Sequence, residues 1–163
     1  MEAWKIHAIE VSLGLSKPKD IQSGLAVKSK EIPLFGPFLN RSPQGEISGK
    51  SVAIQDESAD EAIFWPSLSI RDRNRRQAIR RTADEALMKA AEEQFPTVMF
   101  FTAGLEATGV PSWEIAEEIT NAIYQAAQQE TSVKEVVVIA GTDVQISSFQ
   151  YTLNNTRLLF SQE

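Results

Sequence analysis

Two short segments of this chain combine glycine, hydroxyl and carboxylate side chains in the way a ligand-binding turn requires. They are Gly104-Leu105-Glu106-Ala107-Thr108-Gly109-Val110-Pro111 and Gly141-Thr142-Asp143. Each follows an apolar, β-branched run and precedes a stretch of helical periodicity. Glycine lets a backbone approach a ligand closely and adopt positive φ. A helix opening near Ser112 would aim free backbone N–H groups at the first segment, which is the physical basis of an anion pocket. Thr108, Ser112 and Thr142 supply hydroxyl donors, and Asp143 can accept hydrogen bonds from a sugar or a base. The same residue types also serve turn geometry and helix capping, so both readings stand at this point.

The second feature with chemical content is a run of arginines. Arg71, Arg73, Arg75, Arg76, Arg80 and Arg81 share eleven positions with one acid, Asp72, a local charge of +5 in a chain whose net charge is −6. Arg71, Arg73, Arg75 and Arg76 fall at or just before a helix start, where cations oppose the macrodipole. Asp56, Glu57, Asp60 and Glu61 lie nearby in sequence to compensate them. The alternative is a docking surface for an acidic protein partner or a phosphate-bearing ligand. Nucleic acid is not expected, because the overall field repels phosphate and no aromatic-interleaved basic stripe accompanies the cluster.

Other chemistry is excluded by residue type. The absence of cysteine removes disulfides and thiolate catalysis, and the single histidine, His7, cannot form a His-rich metal site. His7 reads as a satisfied or exposed strand residue. There is no Gly-x-Ser-x-Gly elbow, phosphate-binding loop or His-Glu-x-x-His, so no catalytic residue is named and no cofactor or metal is implied. The acids between 56 and 61 read as a solvated face. No apolar run approaches the roughly 18 residues that would span a bilayer, and the N-terminal residues lack a basic region followed by an apolar stretch. A cytoplasmic protein with no membrane partner is the expectation.

The elements that must position these residues follow from periodicity. A chain of 163 residues predicts one domain over 1–163. Residues 4–15 read as a strand whose apolar phase shifts midway, as at a bulge or in a strand covered on both faces. Short strands are expected at 25–31, 51–55 and 62–68, around a Pro- and Gly-punctuated surface loop at 32–50. Residues 72–94 predict a helix burying Ile79, Ala83, Ala86, Leu87 and Ala90, which Pro96 ends. A buried strand at 97–103 and a loop at 104–111 come next. Ser112 then caps a helix to about 129, with Glu114, Glu117 and Glu118 in its first turns. The strand at 133–140 and a closing helix carrying Ile146, Phe149 and Leu153 complete the pattern. This order predicts an α/β fold, a three-layer α/β/α sandwich with a mixed, partly parallel sheet and right-handed crossovers. Both glycine segments then leave the carboxyl ends of strands, where such sheets bind ligands.

From about residue 71 to 155 the chain resembles the second half of a macrodomain, the ADP-ribose-binding α/β module. The resemblance rests on Thr-Ala-Asp-Glu-Ala-Leu-Met-Lys-Ala-Ala at 82–91, on the strand at 98–102 leading into Gly104, and on Val-Lys-Glu-Val-Val-Val-Ile-Ala at 133–140 before a closing helix with Phe149. It implies a macrodomain-like fold in which Thr102, Ala103, Gly104 and Gly109 match a loop around the diphosphate. Gly141, Thr142 and Asp143 would lie near the distal ribose or adenine, and Lys19-Asp20-Ile21 is faintly similar to the turn that contacts adenine. The family's Asn-Ala-Ala-Asn-like strand and its first glycine run have no counterpart here. The catalytically inert amino-terminal domain of leucine aminopeptidases is similar as well, and implies no ADP-ribose site. Three functions therefore stand: a module binding ADP-ribose or a related nucleotide, non-catalytic or weakly hydrolytic; a protein-interaction or assembly module with a degenerate pocket; and an enzyme of another class, which would need Asp143, Glu106 and one of the arginines to converge in a single cleft. The second is motivated by the missing glycine loop, the segregated charge and the apolar side chains Phe35 and Phe38.

Overall fold

The computed structural model describes residues 2–18, 24–29, 31–33, 51–53 and 61–156. Its first element departs from expectation. The apolar phase change marks a hairpin, not a bulge: β1 (Glu2–Ile6) and β2 (Ile9–Gly14) pair antiparallel, with Ile6 opposite Ile9. A two-residue turn puts its flanking residues on the same face, so the inward series must pass from even to odd numbers as the chain reverses. His7 stands in that turn at φ 53°, exposed, with its ring centroid 5.6 Å from that of Tyr124.

β3 (Leu25–Lys28), β6 (Glu61–Phe64), β7 (Thr97–Phe101) and β8 (Glu135–Ile139) join the hairpin in one six-stranded sheet ordered β1-β2-β8-β7-β3-β6. All neighbours pair parallel except β1 with β2. The expected mixed, partly parallel sheet is therefore present. β4 (Glu31–Pro33) and β5 (Ser51–Ala53) form a separate antiparallel pair. The stretch 34–50 with Phe35 and Phe38, the Lys19-Asp20-Ile21 turn, and Asp56, Glu57 and Asp60 lie outside the described residues. β6 is shorter than the strand expected at 62–68: Trp65 still donates its backbone N–H to the Lys28 carbonyl at 3.0 Å and its indole N–H to the Phe101 carbonyl at 2.9 Å, but Pro66, which has no N–H, follows it.

Alternation along the parallel strands decides the layers. Val11, Leu25, Val27, Val98, Phe100, Val136 and Val138 share one core with α1 (Arg75–Glu92), α3 (Ser112–Ala127) and α4 (Asp143–Asn154). Their neighbours Ala26, Met99, Val137 and Ile139 face the other way and are buried too, so the sheet is covered on both sides. Strands buried on both faces read as continuous Val/Ile-rich runs, which is why β7 and β8 stand out in sequence. The stripe Ile79, Ala83, Ala86, Leu87 and Ala90 is buried as expected. α1 ends in a Schellman arrangement: Gln94 takes φ 63°, Phe95 N–H donates to the Ala90 carbonyl at 2.8 Å, and Pro96 follows.

Two local expectations are corrected. The loop expected at 104–111 begins with a short helix, α2 (Ala103–Ala107), because the helix formers Ala103, Leu105, Glu106 and Ala107 place the fully buried Leu105 in the core. Ser112 is the first helical residue of α3, and the cap position belongs to Pro111, which offers no side-chain cap.

Candidate functional site

The five parallel strands end on one edge of the sheet, at Gly14, Ile139, Phe101, Lys28 and Phe64. α2 and α3 follow β7 from that edge, α4 follows β8, and the segment leading to α1 follows β6. Both glycine segments and the arginine run are therefore gathered at the carboxyl edge. Contacts between helix starts confirm the alignment. Gln145 of α4, fully buried, donates to the Ser112 carbonyl at 2.9 Å. Arg75 of α1 donates to Glu114 of α3 at 2.8 Å.

The centre of this edge is a residue absent from the expected ligand set. Thr102 Oγ1 donates to Glu106 Oε2 at 2.6 Å, the Gly141 N–H donates to the same oxygen at 2.8 Å, and Thr142 Oγ1 donates to Oε1 at 2.7 Å. One carboxylate thus joins the turn after β7 to the turn after β8. It also sits at the N-terminus of α4, where a negative charge is favoured. Thr142 caps that helix, accepting from the Gln145 N–H at 3.2 Å. Gly141 is required by the closeness of the two turns: a Cβ there would lie 2.8 Å from Ala103 Cβ and 3.0 Å from its Cα. The signal available in sequence was Thr102 four residues before Glu106, a spacing that meets only if the intervening residues are helical.

The expected ligand residues fall into two groups. Thr102, Ala103, Gly141 and Thr142 come together around Glu106. Thr108, Gly109 and Ser112 belong to the turn that opens α3, where Thr108 Oγ1 donates to the Leu105 carbonyl at 2.6 Å and Gly109 takes φ 87° facing open space. Asp143 is exposed at the first position of α4. Gly104 joins neither group. A Cβ on Gly104 would sit 1.9 Å from Ser29 Oγ and 2.4 Å from Ser29 Cβ, so this glycine lets α2 pack against the end of β3. Gly104→Ala should therefore cost about 1–3 kcal/mol through overpacking, and adding Ser29→Gly should return most of it. Urea melts of the two single variants and the double variant check this; additive costs would refute the contact.

The arginines divide as well. Arg75 grips Glu114 with two bonds, Nε to Oε1 at 2.8 Å and Nη2 to Oε2 at 2.9 Å, and its Nη1 reaches the Ile70 and Asp72 carbonyls at 3.0 and 3.3 Å. Arg76 bonds Glu118 and Glu117, both at 2.8 Å, with its guanidinium 5.1 Å from the Trp113 ring centroid. Burial lowers the Arg76 pKa, but the bonds and charges of Glu117 and Glu118 outweigh it and the net shift is upward. Among the described residues, compensation for Arg75 and Arg76 comes from the first turns of α3. Arg71 and Arg73 precede α1 and are exposed. Among the described residues, no group of three or more His, Cys, Asp or Glu could hold a metal ion, and no helix is long and apolar enough to cross a membrane.

No protein-family model matches this chain, and no curated protein sequence matches it. Solved structures do. A glycine-to-valine mutant of the Oceanobacillus iheyensis macrodomain, solved with ADPR, superposes with a TM-score of 0.66 at 14% identity, over 95% of this chain and 97% of that one. The same macrodomain with ADP gives 0.64 at 11% identity, over 95% of each chain. A Trypanosoma brucei macrodomain in complex with ADP gives 0.53 at 10% identity, over 89% of this chain and 68% of that one. The resemblance read from the second half of the sequence extends, as fold, over nearly the whole chain. The protein has a macrodomain-like fold.

Proposed function

We propose that this chain is a binding module for ADP-ribose or a related nucleotide, non-catalytic or weakly hydrolytic. The observation that carries the reading is the convergence of five parallel strand ends, with the starts of α3 and α4, on one edge of a fold whose solved neighbours include macrodomains with ADPR and ADP. Ligands of open α/β sheets lodge at such edges. In this reading Thr108, Gly109, Ser112 and Asp143 face the ligand, while Thr102, Ala103, Gly104, Gly141 and Thr142 form the floor beneath it. Thermal unfolding with ADP-ribose, ADP, ATP, NAD and ribose 5-phosphate tests it. A ligand at about 100 times its Kd stabilises by about 2.7 kcal/mol, a rise of several degrees in a domain this size. The rise with ADP-ribose should shrink in Asp143→Ala, whose exposed side chain leaves the unliganded melting point unchanged. No rise with any of the five compounds sinks the proposal.

One observation favours a second reading, an interaction module with no nucleotide ligand. The Glu106 carboxylate takes up the Thr102, Gly141 and Thr142 donors that an anion would otherwise use. A flat ligand panel alongside a folded, cooperative melt is the result expected of that module.

A further inference from the structure

We propose that the face formed by Ile70, Arg71, Arg73 and Trp113 docks an acidic segment of a partner protein that carries an apolar side chain. The backbone of this face is held in place. Arg75 binds the Ile70 and Asp72 carbonyls while gripping Glu114, and Asp72 in turn accepts from the Ser69 N–H at 2.9 Å. Trp113, the residue before Glu114, lies under the Arg76 guanidinium. This support leaves two large apolar side chains open to solvent, Ile70 at 46% and Trp113 at 52% exposure.

Charge selects the occupant. The described acids around the face are already engaged: Asp72 by the Ser69 N–H, Glu114 by Arg75, and Glu117 and Glu118 by Arg76. Arg71 and Arg73 remain exposed, with no ion pair among the described residues. Two cations beside an exposed tryptophan and isoleucine match carboxylates flanking an aliphatic group, and Trp and Arg are the residue types that dominate interface energetics. A polyphosphate chain would meet the same cations but leave Ile70 and Trp113 without an apolar partner.

The test uses a labelled peptide of alternating glutamate and leucine, its lysine-for-glutamate counterpart and a single-stranded oligonucleotide, each titrated by anisotropy. The acidic peptide alone should bind. Its affinity should fall by about tenfold or more in the double variant Arg71→Ala/Arg73→Ala, and likewise in Trp113→Ala, with binding weakened by added salt. The arginine double variant should keep the wild-type melting point, Trp113→Ala should lose at most a few degrees with its Arg76 contact, and both should keep any ADP-ribose stabilisation, so this surface and the nucleotide reading fail separately. Equal binding by the double variant, a preference for the oligonucleotide, or no peptide binding up to about 1 mM overturns the proposal.

Discussion

Replacing Arg75 by alanine should lower stability by about 3 kcal/mol and the melting point by roughly 10 °C. Its partner is the reason. Glu114 is 5% exposed and receives two of the guanidinium's hydrogen bonds, so the variant strands a carboxylate where water reaches it poorly. The Ile70 and Asp72 carbonyls lose their donor in the same step. Breaking a buried pair typically costs about 3–5 kcal/mol, and the partial exposure of the Arg75 side chain, 22%, places this one at the lower end. Arg76→Ala is the internal control. Arg76 and Glu117 are about one-third exposed and solvent screens them, while Glu118 is 16% exposed, so that loss should be about 1–2 kcal/mol. The double variant Arg75→Met/Glu114→Leu should recover much of the deficit, because it removes both charges and fills the space. Urea unfolding separates these cases. An Arg75→Ala protein within about 0.5 kcal/mol of wild type would mean that the pair does not hold α1 against α3.

The same pair shows where sequence reading stops. β7 and β8 were legible because their β-branched runs are buried on both faces, and α1 because its small and aliphatic residues recur every three or four positions. Those are local signals. Arg75 and Glu114 are 39 positions apart, and only the side-by-side packing of α1 and α3 makes them partners. Ser29 against Gly104, which turns an apparent ligand-loop glycine into a packing glycine, is likewise invisible until β3 is placed beside β7. The first hairpin is hidden in the sequence for a different reason. Its turn, His7-Ala8, contains none of the Gly, Asn or Asp residues that usually mark positive φ, although His7 adopts it. Glu106 combined both difficulties. It looked like one polar residue in a loop, and its role appears only when α2 forms and the β8 turn is brought against it.

Glu106→Gln should leave stability within about 1 kcal/mol of wild type and tighten ADP-ribose binding about tenfold, whereas Glu106→Ala should cost about 2–3 kcal/mol. The two variants separate shape from charge. Glutamine can set its one oxygen where Oε2 stands, accepting from Thr102 and the Gly141 N–H, and its amide can donate to Thr142 Oγ1, whose hydroxyl reverses its role. Alanine removes all three acceptor contacts and leaves Thr102, which has no solvent exposure, without a partner. The affinity effect comes from the lost charge. Any like charge about 8 Å from a carboxylate is opposed by about 2 kcal/mol at an effective dielectric near 20, and salt screening lowers this toward tenfold in Kd. Calorimetric titration of wild type and Glu106→Gln with ADP-ribose reads that difference directly. Weaker binding by the glutamine variant would make the carboxylate a ligand contact, accepting from ribose hydroxyls. Tighter binding would mark Glu106 as an internal anion on the donors a phosphate would use. In that case a nucleotide would bind either against that charge or by displacing it, and Glu106 would set its affinity more than any glycine of the edge.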